Sequence, residues 1–294
     1  MSGFFGGSQP RPKICPSCGS LVGTVATRCP QCGASVRFSL AAASRSLGGL
    51  MPTTYPATYA ILTICCMIFA VSFLVTFSKN GGIGMSGGLA GLLNFGAIDG
   101  NVLIRLGASL PWPVDSVQPW RFVTAIFLHA SILHILFNMW VLMDIGPQIE
   151  ELYGSARYLF VYVVTGVGGF VLSSVMGHFS VGGSGAILGL CGVVLAVTTG
   201  ARSAPAQMLR ASVIRLLIYV AIITILPFGG FIGAADTAAH LGGLGSGFVL
   251  GKILADRPPV TPQERKRAQL LGWGTALVVV ASFVLAILSG LHAI

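Results

Sequence analysis

The chain has 294 residues, of which 54% are apolar and only 9% are charged. Soluble domains carry close to a quarter charged residues. With a mean hydropathy of +0.86, the composition excludes an ordinary soluble enzyme, a disordered chain and a disulfide scaffold, and leaves an all-α polytopic membrane protein. The formal net charge of +9 could serve nucleic acid or a membrane surface. The basic residues lie in short stretches between apolar runs, so topology accounts for them and no nucleic-acid partner is expected.

Residues 1–56 are polar and rich in Gly, Pro and Ser, with no apolar signal-peptide core near Met1. Cys15-Pro-Ser-Cys18 and Cys29-Pro-Gln-Cys32 are each followed by a glycine, Gly19 and Gly33. Four thiolates on two tight turns suit a tetrahedral structural zinc ion. Two disulfides are the alternative, disfavoured if this tail is cytoplasmic. The segment resembles the small zinc ribbons found at the ends of many membrane and regulatory proteins. We expect a cytoplasmic zinc-ribbon domain over 1–35, with room for a protein partner, and a linker over 36–56. Cys65, Cys66 and Cys191 lie in apolar runs and read as small hydrophobes.

The first apolar run covers 57–77 without a charge, long enough to cross a bilayer as a helix. Further spans are predicted over 131–149, 156–176, 184–201, 212–228, 236–254 and 270–291. The connection 78–119 is glycine-rich and apolar, and reads as partly immersed in the interface with Trp112 and Trp120 as anchors. Residues 256–269 read as a polar linker before the seventh span.

Orientation follows from the basic residues. With the N-terminus inside, Lys79, Arg105 and Arg121 fall outside and the other fourteen of the 17 Lys and Arg fall inside, which supports that orientation under the positive-inside rule.

Ionisable and polar groups at membrane depth are costly and point to function. Three clusters stand out. Trp120-Arg121 is followed by His129, His134 and Asn138, the last two four apart and therefore on one helix face. Gly182-Gly183-Ser184-Gly185 opens the fourth span, where free backbone N–H groups and the helix dipole favour an anion. Such a place suits a nucleophile whose substrate develops an oxyanion, and a serine nucleophile needs a base, usually imidazole.

His240 is that imidazole in the sixth span. Gly185 and Gly189 on the fourth span, and Gly243, Gly247 and Gly251 on the sixth, form two small-residue faces that let backbones approach, which would bring Ser184 and His240 together. A GxSG in a glycine-rich membrane chain can also be simple helix packing, and a lone intramembrane His a structural or proton-handling group. Asp236 either completes a triad or caps the sixth span.

Together these motifs resemble the rhomboid family of intramembrane serine proteases. The stretch WRFVTAIFLHASILHILFNMW carries the family's Trp-Arg and His-x4-His-x3-Asn; Glu150 and Gly154 match its E-x-x-x-G; GGSG matches GxSG; and AAHLGGLGSG matches Ala-His-x-x-Gly-x-x-x-Gly. The resemblance runs from Trp120 to about Gly251. It implies a six-span core, here 57–255, with 270–291 as an extra C-terminal span. It implies a Ser184–His240 dyad, an oxyanion hole lined by His134, Asn138 and the Ser184 backbone N–H, and Arg121, His129 and Glu150 holding the first loop and the second span in place. Gly182, Gly185, Gly243 and Gly247 are the structural glycines beside that site. Leu188 stands where the family often has an aromatic that packs on the catalytic His, so ring stacking is absent here. His178 and His292 match no motif.

The implied activity is hydrolysis of peptide bonds in or next to transmembrane segments of membrane-protein substrates, in contact with the lipid bilayer and without a catalytic cofactor. The setting is a membrane, with a prokaryotic plasma membrane the expected one and the site open to the outer face. The alternatives are a weak or inactive rhomboid-like protein that binds membrane clients, a proton-coupled transporter, and a membrane-anchored ribbon.

Overall fold

A computed structural model of the chain describes residues 13–14, 20–23, 26–33, 54–80, 96–225, 236–254 and 259–291. Two units are distinguished, Met1–Thr54 and Tyr55–Ile294.

In the first unit, β1 (Lys13–Ile14) pairs antiparallel with β2 (Leu21–Val22), Ile14 opposite Leu21. Val22 and Cys29 are buried with Ala26 against them. The Gly33 N–H donates to the Cys29 carbonyl at 2.9 Å, which closes a tight turn around Cys29 and Cys32. Cys15 and Cys18 lie outside the described residues.

The second unit is helical. Its long helices are α1 (Pro56–Asn80), α5 (Ile132–Tyr153), α6 (Ser155–Val175), α7 (Ser184–Thr198), α8 (Ala204–Ile225), α9 (Thr237–Ile253) and α10 (Pro262–Leu291). Between α1 and α5 the chain forms α2 (Gly100–Arg105), α3 (Val114–Val117), α4 (Arg121–Thr124) and a 3₁₀ turn over Ala125–Phe127.

Boundaries follow from local chemistry. The Ser131 hydroxyl accepts from His134 N–H and starts α5. Asp99 starts α2 by accepting from Asn101 and Val102 N–H. Its hydrogen bond from Lys79 holds the Asp99 carboxyl below the usual carboxylate range. The turn from α5 into α6 passes through Gly154 at φ +75°, a conformation that favours glycine.

Helix α7 is central, packed on α6, α9, α8 and α5, and twelve of its fifteen residues are buried. Tyr153, Tyr158, Tyr162, Phe127 and Phe170 are the bulkiest fully buried side chains around it. Helix α10 crosses the outer side of α6 and reaches the first connection. A Cβ on Gly272 would meet Ala156, one on Gly107 would meet Ala286, and one on Gly290 would meet the Arg105 carbonyl. The aromatic pair Phe127–Phe283, 5.9 Å between centroids, joins α10 to the 3₁₀ turn.

Two expectations differ from the structure. Helix α8 begins at Ala204, eight residues before the predicted fifth span, because 204–210 is helical although Pro205, Gln207 and Arg210 interrupt the apolar run. The linker 256–269 is helical from Pro262 onward. There Glu264 accepts from the Val260 and Thr261 N–H groups while Thr261 Oγ1 accepts from Glu264 N–H, which is a capping box.

Among the described residues, five of the seven expected spans are long and apolar enough to cross a bilayer: α1, α5, α6, α8 and α10. Helix α7 has 15 residues and α9 has 17, so each rises about 22–26 Å. Helix α7 is shielded by neighbouring helices, whereas α9 buries its glycine face and leaves Leu241, Phe248, Val249 and Ile253 exposed.

Candidate active site

Helices α5, α7 and α9 all begin at the same end of the bundle, and the candidate residues sit in their first turns. Ser184 is the first residue of α7. Its approach runs through Gly182 at φ +132°, whose N–H donates to the Ala125 carbonyl at 2.9 Å. That φ is open to glycine and strained for any other residue. The hydroxyl of Ser184 lies 2.8 Å from His240 Nε2, although the two residues are 56 positions apart.

The approach of α9 to α7 is backbone to backbone. A Cβ on Gly243 would fall well inside van der Waals contact distance of the Gly185 carbonyl oxygen, and one on Gly247 inside that of the Gly189 carbonyl oxygen. A turn further along, a Cβ on Gly192 would stand 2.8 Å from Phe248 N, and one on Gly251 the same distance from Ala196 Cβ.

His134 and Asn138 face the same space from α5. A side chain at 182 would stand 2.7 Å from His134 Nε2 and 3.9 Å from Ser184 Oγ, so the imidazole edge and the hydroxyl border one small volume. The Ala130 N–H points at His134 Nδ1 at 3.4 Å, which leaves the proton of a neutral ring on Nε2, the edge turned to that volume. Asn138 is buried and donates one amide hydrogen to the His134 carbonyl at 2.9 Å; its second is not used on the helix. The Ser184 N–H is unpaired within the helix by its position, so it and the His134 Nε2 edge border the place next to Ser184 Oγ, with Asn138 behind them.

The surrounding residues divide. His129 packs edge-on against His134, 5.2 Å between ring centroids. Arg121 is buried and binds the first connection: Nη1 donates to the Ile104 and Ala108 carbonyls at 2.9 Å each, and Nε to Gln118 Oε1 at 2.6 Å. Glu150 does not lie near the site. It is sixteen residues beyond His134 on the same helix, about 24 Å at 1.5 Å per residue. There it accepts from Ala57 N–H, Thr58 N–H and Thr58 Oγ1 at 2.7–2.9 Å, so it secures the start of α1 and not the first loop. Sequence matching finds the residue but cannot tell which end of the helix uses it.

Asp236 caps α9, its Oδ1 accepting from Ala239 N–H at 3.1 Å. Its other partners are the Ser173 hydroxyl and His178 Nδ1, the latter at 3.0 Å. The Ser180 side chain meets the same carboxylate, and no hydrogen bond joins it to the His240 ring among the described residues. Two neighbours escape the sequence reading. His178 matches no motif, yet it meets Asp236. Tyr162 is fully buried on α6, and a Cβ on Gly183 would stand 2.8 Å from its hydroxyl and 3.7 Å from Asn138 Oδ1. A tyrosine in an apolar span carries no spacing signal that could reveal this. Leu188, one turn along α7 from the serine, is buried. His292 lies outside the described residues.

Bundle and site together define an all-α polytopic membrane protein with a serine–imidazole pair at the mouth of its central helix. Residues 116–257 match the rhomboid domain. The chain is similar to RHOMBOID-like protein 6, mitochondrial, of Arabidopsis thaliana, 34% identical over a segment covering 58% of this chain and 56% of that protein. It is similar to Rhomboid protease GluP of Bacillus subtilis (strain 168), 34% identical over 55% of this chain and 31% of that protein. A third relative is Rhomboid-like protease 2 of Toxoplasma gondii, 32% identical over 57% and 59%. The matched segments span less than two thirds of each relative. These matches support the rhomboid family for the membrane core.

Proposed function

We propose that this protein is an intramembrane serine endopeptidase that hydrolyses peptide bonds in or beside transmembrane segments of other membrane proteins. The observation that carries this reading is the 2.8 Å contact between Ser184 Oγ and His240 Nε2 at a helix start bordered by the His134 imidazole edge. Two relatives are named as proteases, which agrees with hydrolase chemistry.

Ser184 attacks the scissile carbonyl as His240 Nε2 takes its proton. The tetrahedral oxyanion is assigned to the place beside Ser184 N–H and His134 Nε2–H, with the Asn138 amide as the third donor. Donors fixed before the reaction are usually the largest single catalytic term. His240 then returns the proton to the leaving amine, and water repeats the attack on the acyl-enzyme. A substrate helix must unwind at the cleaved bond, since its carbonyls are otherwise engaged in the helix. The distribution of basic residues supports an outer-face position for the starts of α7 and α9. A fluorophosphonate probe tests the reading. Wild type is expected to be labelled and Ser184→Ala not; label retained in Ser184→Ala overturns it.

For the first unit we propose one structural Zn²⁺ held by Cys15, Cys18, Cys29 and Cys32. The described half fits: Cys29 is buried, Cys32 is exposed, and the Gly33 N–H closes the turn that holds the pair. Zinc would lock the two turns together and take no part in proteolysis. Metal analysis should find about one zinc per chain. Cys29→Ser should release it while cleavage in detergent persists; loss of cleavage with an intact membrane core overturns the purely structural role.

A further inference from the structure

We propose that Asp236 is a positioning residue. Its carboxylate grips His178 and Ser173, and so holds the α6–α7 connection, which ends at Ser184, against the helix start that carries His240. This rests on the protease reading above and names a group that acts through the dyad without touching it.

The connection is anchored on several sides. The His178 N–H donates to the Ser173 carbonyl at 3.1 Å, which ties it to the end of α6. Ser180 exchanges both backbone hydrogen bonds with Ser109, at 3.0 and 3.1 Å, which ties it to the first connection. Gly182 is tied to Ala125. None of these bonds reaches α9. Asp236 supplies that link at the mouth of the site, through the Ser173 hydroxyl, through His178 Nδ1 at 3.0 Å and through the Ser180 side chain.

The next contacts between α7 and α9 are those of Gly185 with the Ala239 carbonyl, level with the dyad, and with Gly243 below it. Without Asp236 the dyad would lie at the last packed turn of the two helices. With it, the dyad lies between two clamps, one of carboxylate and imidazole above and one of backbone below. A 2.8 Å contact between residues from different helices needs both, because a small rotation of either helix start lengthens it.

Capping and clamping are separable. Serine is also a good N-cap, but its hydroxyl is too short to bridge to His178. Asp236→Ser should therefore keep a thermal midpoint close to wild type while kcat falls roughly tenfold at little change in KM, the size expected for a sub-ångström misplacement. His178→Ala removes the same bond from the connection side and leaves the α9 cap untouched. It should lower kcat by less, since the carboxylate keeps Ser173 and Ser180, and the double variant should be no worse than Asp236→Ser alone. Asp236→Asn, which can both cap and bridge, should recover part of the loss.

Amide hydrogen exchange over 177–183 should rise in Asp236→Ser and His178→Ala whether or not the protein cleaves anything. A wild type without serine-dependent cleavage but with this rise defeats the protease reading and leaves the clamp standing. Wild-type kcat in Asp236→Ser, unchanged exchange, or additive losses in the double variant overturns the clamp.

Discussion

The two helices that flank α7 are held in opposite ways. Helix α9 meets it through glycines, with backbone against backbone at Gly185–Gly243 and Gly189–Gly247. Helix α8 meets it through side chains on one edge. Only 6% of its apolar window is buried inside the protein, against 56% for α6, and Ile214, Ile218, Tyr219 and Ile222 are exposed. The first arrangement has no soft component. Glycine interfaces have no side-chain rotamers to adjust, so any added atom must move a helix axis. The second can absorb change, because its outward side chains face lipid and have no fixed partners to lose. The protein thus places its candidate chemistry on the rigid interface and leaves the other neighbour of the serine helix lightly held.

The comparison can be broken at its strongest point first. Ser184→Ala and His240→Ala should each abolish cleavage of a transmembrane substrate, and the double variant should be no worse, because groups acting as a unit lose activity together. Additive losses measured with a fluorogenic substrate would mean that the pair does not act as one.

Next in size is the glycine interface. Gly247→Val puts two methyl groups where a carbonyl oxygen already lies, so α9 must shift and carry His240 with it. A 1 Å displacement costs about 10²-fold in rate. Normal activity of purified Gly247→Val would show that the close approach is dispensable.

Asn138→Ala removes one proposed oxyanion donor while the dyad contact remains. Loss of one such donor costs about 10²–10³-fold in kcat, and the loss should fall on kcat with KM nearly unchanged. A change confined to KM would move Asn138 from the oxyanion to ground-state substrate binding.

The smallest effect is expected on α8. Ile218→Ala deletes an exposed side chain and should shift stability by no more than about 0.5 kcal/mol, as read by thermal unfolding in detergent. A loss the size of the Gly247→Val effect would show that α8 is held as firmly as α9, and the contrast between the two helices would fail.

Much of this was legible from the chain. The long apolar runs fell within a few residues of α1, α5, α6, α7, α9 and the membrane part of α10, because hydropathy is a property of contiguous residues. The glycine registers on the two helices could be read as facing surfaces, since residues four apart share a helix face. The start of α8 at Ala204 and the helical turns from Pro262 were missed, because helices extend past the apolar segment into water and hydropathy stops at the interface. Glu150 was found as a motif residue but assigned to the wrong neighbourhood, since a motif spacing carries no information about which helix end a carboxylate will cap.

By itself the sequence determined the class of protein, the existence of its spans, and which serine, histidines and asparagine could do chemistry, because these depend on residue type, polarity at membrane depth and periodicity along one helix. Only the tertiary structure decided that Ser184 and His240 lie 2.8 Å apart, that Asp236 turns to Ser173 and His178, and that the Tyr162 hydroxyl lies beside Gly183. Those outcomes depend on the rotation of each helix about its axis and on side-chain direction at the helix ends. Both are set by packing against residues distant in the chain, which no local pattern encodes.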